Sequence, residues 1–160
     1  MTTGHKKRAL GWDPGKWNTA YAVYGPKGLE DTGVTDGTMD DVLNLDAFAE
    51  RAERIIDWYD PDLCAVERYT LRGRGKGFIG NMEQVNLMIG TIAQACRTRN
   101  IPFRLVAAHV HKTWAKRSGG AKKGKDGKLD MTTCSEFQHL ETDHEADAAN
   151  LAKYILTKEG

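Results

Sequence analysis

Three acidic residues far apart in the chain each stand at the edge of a hydrophobic element: Asp13 in Leu10-Gly11-Trp12-Asp13-Pro14-Gly15, Glu67 in Leu63-Cys64-Ala65-Val66-Glu67, and Asp147 in His144-Glu145-Ala146-Asp147. A carboxylate at the end of an apolar strand is poorly solvated, and several brought together repel one another unless a hard cation such as Mg²⁺ neutralises them. The pattern therefore points to a divalent-metal cage. Each residue alone has a plainer reading. Asp13-Pro14-Gly15 is also a turn, Glu67 can pair with Arg68, and an acid near the start of a helix is favoured by the helix dipole. What joins the three is the phase of the last helix.

That helix is predicted over about 143–158, with Asp143 as its N-cap. Its core line passes through Leu151 and Ile155, and stepping back along it reaches Asp147 and then His144. Both polar side chains thus point toward a sheet, whereas a solvated helix would turn them outward. Residues 8–13 and 18–25 read as short strands joined through Pro14-Gly15, and a more polar strand lies within 29–38. From Asn44 the pattern turns helical, with Leu45, Phe48, Ala52, Ile55, Ile56 and Tyr59 on one face, and Asp60-Pro61 ends it. Residues 63–66 form a continuous apolar run, as a strand buried on both faces should. A second helix over about 80–97 is stopped by Asn100 and Pro102, and 103–106 is a fifth strand. A short helix near 109–117 leads into a Lys/Gly segment expected to be a flexible, unpacked basic loop over about 117–130. Asp130 or Thr133 then caps a short helix to about 140, with Thr133 and Glu136 as a capping box. Hairpin strands followed by alternating strands and helices make an α/β fold: a mixed five-stranded sheet flanked by helices, in one domain spanning 1–160.

A chain of 160 residues buries about 70% of its unfolded surface and needs no disulfide or zinc staple. Its cysteines, Cys64, Cys96 and Cys134, are odd in number and form no Cys-x-x-Cys pair, so they read as reduced core thiols. The basic stretch 1–8 leads into no apolar run of signal-peptide length, and no run of about 18 apolar residues occurs, so a soluble, cytoplasmic protein without a membrane partner is expected. Net charge is only +1, yet the cations are concentrated. Arg68, Arg72, Arg74 and Lys76 stand together without an acid, and Lys112, Lys116, Arg117, Lys122, Lys123, Lys125 and Lys128 face Asp126 alone. Positive charge confined to two glycine-containing segments of an otherwise acidic body suits a polyanion gripped at one place; solvated loops are the plain alternative. His109, His111 and His139 lack zinc partners and read as ordinary polar residues, and Asp40, Asp41 and Glu141 as surface charge.

Three motifs in order carry a resemblance: Leu10-Gly11-Trp12-Asp13-Pro14-Gly15 with Thr19-Ala20-Tyr21-Ala22-Val23 behind it, Ala65-Val66-Glu67-Arg68-Tyr69, and His144-Glu145-Ala146-Asp147-Ala148-Ala149-Asn150-Leu151-Ala152. Over about residues 8–158 the chain resembles the RuvC family of Holliday-junction resolvases. The resemblance implies a ribonuclease H-like fold and a metal-dependent, structure-specific endonuclease, a crossover junction endodeoxyribonuclease. Such an enzyme nicks four-way or other branched DNA and leaves 5′-phosphate and 3′-hydroxyl ends. By resemblance, Asp13, Glu67 and Asp147 match the family's carboxylate positions, and His144 falls where members carry Asp or His. Val110-His111-Lys112-Thr113 resembles a segment that places a lysine near the scissile phosphate, which singles out Lys112. Phosphodiester hydrolysis needs an activated water, a sink for transition-state charge and help for the departing oxygen, and two Mg²⁺ about 4 Å apart supply all three. Mn²⁺ is expected to substitute. His144 is left open between metal ligand and proton-transfer group, with a pH dependence in the ordinary histidine range.

Arg68, Tyr69, Arg72, Arg74 and Lys76 beside Glu67, and Lys112, Lys116, Arg117, Lys122 and Lys123 beyond it, are candidate DNA contacts, Tyr69 either stacking on a base or packing. Nicking two symmetry-related strands implies a two-fold homodimer, for which Met82, Val85, Met88 and Ile89 are the candidate interface unless they pack on their own sheet. Trp12, His144 and the long Lys/Gly segment depart from the family pattern. They keep open a phage-encoded relative, a broader branched-DNA or RNA-processing nuclease, and a junction-binding protein that does not cut.

Overall fold

Alternation along two neighbouring strands sets the whole arrangement. In the computed structural model, which describes residues 7–15, 18–36, 38–39, 42–68 and 76–159, β1 (Ala9–Pro14) is buried throughout its length. It pairs antiparallel with β2 (Asn18–Gly25), which pairs antiparallel with β3 (Gly28–Asp36). Two-residue strands β4 (Thr38–Met39) and β5 (Val42–Leu43) pair with each other. Helix α1 (Leu45–Tyr59) then crosses to β6 (Leu63–Arg68), parallel to β1, and α2 (Lys76–Thr98) crosses to β7 (Phe103–Ala107), parallel to β6. Helix α3 (Ala108–Ser118), the short pair β8 (Lys122–Lys123) and β9 (Leu129–Asp130), two 3₁₀ turns at Met131–Thr133 and Ser135–Phe137, and α4 (Asp143–Glu159) complete the order. The main sheet runs β3-β2-β1-β6-β7, the mixed five-stranded sheet expected from the sequence.

Because side chains alternate across a strand, Leu10, Trp12, Val23, Cys64 and Val66 pack with Phe48, Ile56, Met88 and Ile92 of α1 and α2. Ala9, Ala20, Ala22, Leu63 and Ala65 face the other way, onto Ala148, Ala149, Leu151, Ala152 and Ile155 of α4. Helix α1 begins where Asn44 accepts from the Ala47 N–H. It ends at Asp60 in the left-handed region (φ 45), whose N–H bonds the Ile56 carbonyl, before Pro61, which cannot continue a helix.

Four expectations are corrected. Val85 and Met88 are fully buried, Met88 in the core against the chain's own sheet where it accepts from the Thr19 hydroxyl at 3.4 Å, so they are not a free dimer surface; Met82 and Ile89 are partly buried. The segment 117–130 does pack: Arg117 and Ser118 belong to α3, β8 and β9 pair, the Lys122 N–H donates to Thr133 Oγ1, and Ala121 is buried. Asp130 caps a single 3₁₀ turn, while the Thr133 hydroxyl donates back to the Asp130 carbonyl and Glu136 pairs with Lys153. The Thr133–Glu136 capping box therefore does not form. For α4 the cap is Thr142: its Oγ1 accepts from the Glu145 N–H at 3.1 Å and its hydroxyl donates to Glu145 Oε2 at 3.0 Å, while Asp143 is the first helical residue.

Candidate active site

Strand register brings two carboxylates level. Trp12 pairs with Val66 in the parallel ladder, so the residues that follow, Asp13 and Glu67, stand side by side at the carboxyl ends of β1 and β6, both turned toward α4. How close α4 comes is decided at Gly11. A Cβ there would lie 2.3 Å from the Ala148 carbonyl oxygen and 2.8 Å from the Ala152 nitrogen, so only a residue without a side chain lets the helix backbone settle on the strand. With Ala148 and Ala152 as its contact residues, α4 delivers Asp147 to the rim. One oxygen from each of Asp13, Glu67 and Asp147 lies within 4.8 Å of the others.

Each carboxylate meets a different nitrogen. His144 Nδ1 is 2.8 Å from Asp13 Oδ2, Lys112 Nζ donates to Asp147 Oδ2 at 2.8 Å, and His111 Nε2 is 2.7 Å from Glu67 Oε2. Burial raises the Asp13 carboxyl, opposed by the His144 bond and reinforced by Glu67. Asp147 is pushed up to about 8, by burial first and then by the charges of Asp13 and Glu67, against the pull of Lys112. Burial also acts to raise Glu67, but the bond to His111 and the charges of Lys112 and His144 outweigh it, so Glu67 sits below its ordinary value. His144 rises to about 9 because the bond to Asp13 favours the charged ring. Its side chain is 69% exposed, so solvent screens much of that interaction. The charge change expected in the ordinary histidine range is thereby moved upward. Lys112, against the burial that would lower it, is raised by Asp147, Glu67 and Asp13 and stays an ammonium.

The three acids present carboxylate oxygens on one rim, Asp13 and Asp147 are held above their ordinary range by burial first and then by neighbouring carboxylate charge, and this oxygen set fits a hard divalent cation. Asp13, Glu67 and Asp147 would hold it, with His144 at the open side. A cleft of about 620 Å³ adjoins them, bordered by Lys112, Lys125, Lys128, Asp130, His144 and Asp147. Arg68, Lys116, Arg117, Lys122 and Lys123 are exposed. Tyr69, Arg72 and Arg74 lie outside the described residues, and Lys76 opens α2. Two further residues stand at the site: His111, expected from the sequence to be an ordinary polar residue but fully buried against Glu67, and Asn150, whose amide nitrogen contacts the His111 ring. A signal for His111 exists in the helical phase, since it stands four residues before the buried Ala115.

Together the sheet order and the position of this rim define a ribonuclease H-like fold. Among solved structures the chain is similar to Thermus thermophilus RuvC, at 15% identity over 94% of this chain and 96% of that one, with a TM-score of 0.70. It is likewise similar to T. thermophilus RuvC in complex with a Holliday junction substrate (14% identity, 96% of each chain, TM-score 0.69). The yeast mitochondrial Holliday junction resolvase Ydc2 matches at 16% identity over 91% of this chain and 76% of that one, with a TM-score of 0.56. At these identities the likeness is one of fold. No protein-family model matches the sequence, and no curated protein matches it. Among the described residues no helix is long and apolar enough to cross a membrane.

Proposed function

We propose that the protein is a divalent-metal-dependent endonuclease for branched DNA, a single nuclease domain that nicks four-way junctions to leave 5′-phosphate and 3′-hydroxyl ends. The observation that carries this reading is the convergence of Asp13, Glu67 and Asp147 within 4.8 Å on one rim of the sheet. Two Mg²⁺ bound there would activate a water and absorb the charge of the transition state, with Mn²⁺ able to replace them. Asp13, buried at the end of the middle strand of the sheet, would hold both ions, with Glu67 of the neighbouring strand and Asp147 of α4 each holding one side. Lys112, held beside Asp147, is the residue of this chain best placed to meet a scissile phosphate. His144, exposed and bonded to Asp13, is suited to orient the attacking water, and would accept its proton only once a bound cation takes over the Asp13 carboxylate that now keeps the ring charged. Arg68, Lys116, Arg117, Lys122 and Lys123 supply an exposed basic surface for backbone phosphates, and Tyr69, two residues after Glu67 in the sequence, is the aromatic assigned to a splayed base. The RuvC and Ydc2 likenesses are to proteins described with or named for Holliday junctions, which supports a junction as the substrate here.

Paired incision requires two sites related by a two-fold axis, hence a homodimer. With Val85 and Met88 committed to the core, an apolar surface among the described residues of α2 is the groove it shares with α1, where Leu87 is 51% exposed beside Leu45, Ala49 and Gly90. The test compares a synthetic four-way junction, a flap, linear duplex and an RNA–DNA hybrid, each with Mg²⁺, Mn²⁺ or EDTA. Wild type should nick the junction in metal and not in EDTA, and Asp13→Asn should bind the junction without cutting it. Preferential cutting of the hybrid would redirect the reading to RNA, and metal-independent nicking would end it.

A further inference from the structure

We propose that His111 and Asn150 are positioning residues that fix Glu67 as a metal ligand through one oxygen, a role that rests on the metal-cage reading above. Asn150 is 1% exposed, on the side of α4 that meets His111 of α3. Its Nδ2 lies 3.0 Å from the His111 carbonyl oxygen and 2.8 Å from His111 Nδ1. A carbonyl oxygen only accepts, so the group facing it is the amide NH₂, and its second hydrogen is directed to Nδ1. Nδ1 is therefore an acceptor, and the ring carries its proton on Nε2, 2.7 Å from Glu67 Oε2. Every polar atom of a fully buried imidazole is thus satisfied, and the direction of each bond is set by the carbonyl at the far end of the chain of contacts.

That chain has one output. Oε2 of Glu67 is engaged, which leaves Oε1 for a cation and disfavours a bidentate carboxylate. The same two helices hold the neighbouring acid: α3 sends His111 to Glu67 and the adjacent Lys112 to Asp147, while α4 carries Asp147 and, three residues on, the Asn150 that orients His111. Glu67 and Asp147 are therefore set at a fixed separation by one helix pair, although they come from different parts of the chain. Partners of this kind orient metal ligands, and their removal typically weakens metal binding by about 10- to 100-fold.

The test is Mn²⁺ binding by calorimetry to the full chain without DNA, with His111→Leu, His111→Gln and Asn150→Leu beside wild type. His111→Leu should weaken binding by roughly tenfold or more, Asn150→Leu by less, and His111→Gln, which keeps an N–H donor near the Nε2 position, should recover most of the loss. Because either leucine variant can destabilise the fold, ¹⁵N spectra of the histidine ring in wild type give an independent reading: Nδ1 bare and Nε2 protonated. Wild-type Mn²⁺ affinity in folded His111→Leu, failure of His111→Gln to improve on it, or a ring proton on Nδ1 would overturn the proposal. No DNA is present, so failure of the nicking assay and failure of the tether are separate results.

Discussion

The two faces of the central sheet are built from different materials. Toward α1 and α2 the strands present Leu10, Trp12, Val23 and Val66, and the helices answer with Phe48, Ile56, Met88 and Ile92. The buried polar contacts described there are weak bonds to sulfur, from Trp12 Nε1 to Cys64 Sγ at 3.2 Å and from the Thr19 hydroxyl to Met88 Sδ at 3.4 Å. Toward α4, beside the larger Leu63, Leu151 and Ile155, the closest approach is made by small residues, Gly11, Ala20, Ala22 and Ala65 against Ala146, Ala148, Ala149 and Ala152. Buried among these small residues are Asp13, His111, Asp147 and Asn150. Large side chains give more apolar area removed from water, roughly 25 cal/mol for each Å²; small ones give proximity between backbones. The first face supplies stability, and the second gives up some of it so that acids from a strand and a helix can meet.

That division can be broken from either side. Phe48→Ala should have the largest effect on stability, a loss of about 3–5 kcal/mol in urea unfolding, while the folded protein keeps its Mn²⁺ affinity. A parallel loss of metal binding would mean that the faces are not separable. Gly11→Ala should cost about 1–3 kcal/mol through overpacking against the α4 backbone, yet lower junction cutting by ~100-fold, since a displacement of the order of 1 Å is enough for that. Asp147→Asn should move stability the other way. The folded carboxyl titrates at about 8 and the unfolded one near 4, so the folded state holds the extra proton. Stability from this group is then highest below about pH 4, declines as pH rises, and levels off above about 8. The amide should flatten that decline and raise the metal-free melting temperature at pH 8, by about 2–4 °C for each ~1 kcal/mol of repulsion relieved, while abolishing cutting. The smallest effect on stability belongs to Lys122→Ala with Lys123→Ala, within about 0.5 kcal/mol. Its signature is in junction binding, where the dependence on salt should become shallower.

Much of the fold was legible because its signals are periodic. The alternation of β1 and β2, the apolar run of β6 and the 3-4 spacing of α1 and α4 each leave a mark that needs no partner to be read. The inward phase of Asp147 followed from Leu151 and Ile155 in the same way. What escaped depends on partners distant in sequence. His111 is unremarkable until Glu67 and Asn150, 44 and 39 residues away, are seen to hold its two ring nitrogens. An amphipathic stripe such as Val85 and Met88 says that a face is buried without saying whether by the chain's own sheet or by another copy. The 117–130 segment was misread because composition counts its lysines and glycines but not the backbone pairing that β8 and β9 make. Thr142 was passed over for Asp143 although the Thr-x-x-Glu spacing of a capping box stood in plain view.

The near-collision averted at position 11 also bears on finding other chains of this kind. A strand carrying Gly-x-Asp needs a helix carrying Asp-Ala with a second alanine four residues on, because each half is sterically meaningless without its counterpart. Such a split signature, a few letters on either side of a gap of more than a hundred residues, is a narrower search key than overall likeness. It follows from the thickness of a methyl group, and so can persist after most other positions have drifted beyond recognition.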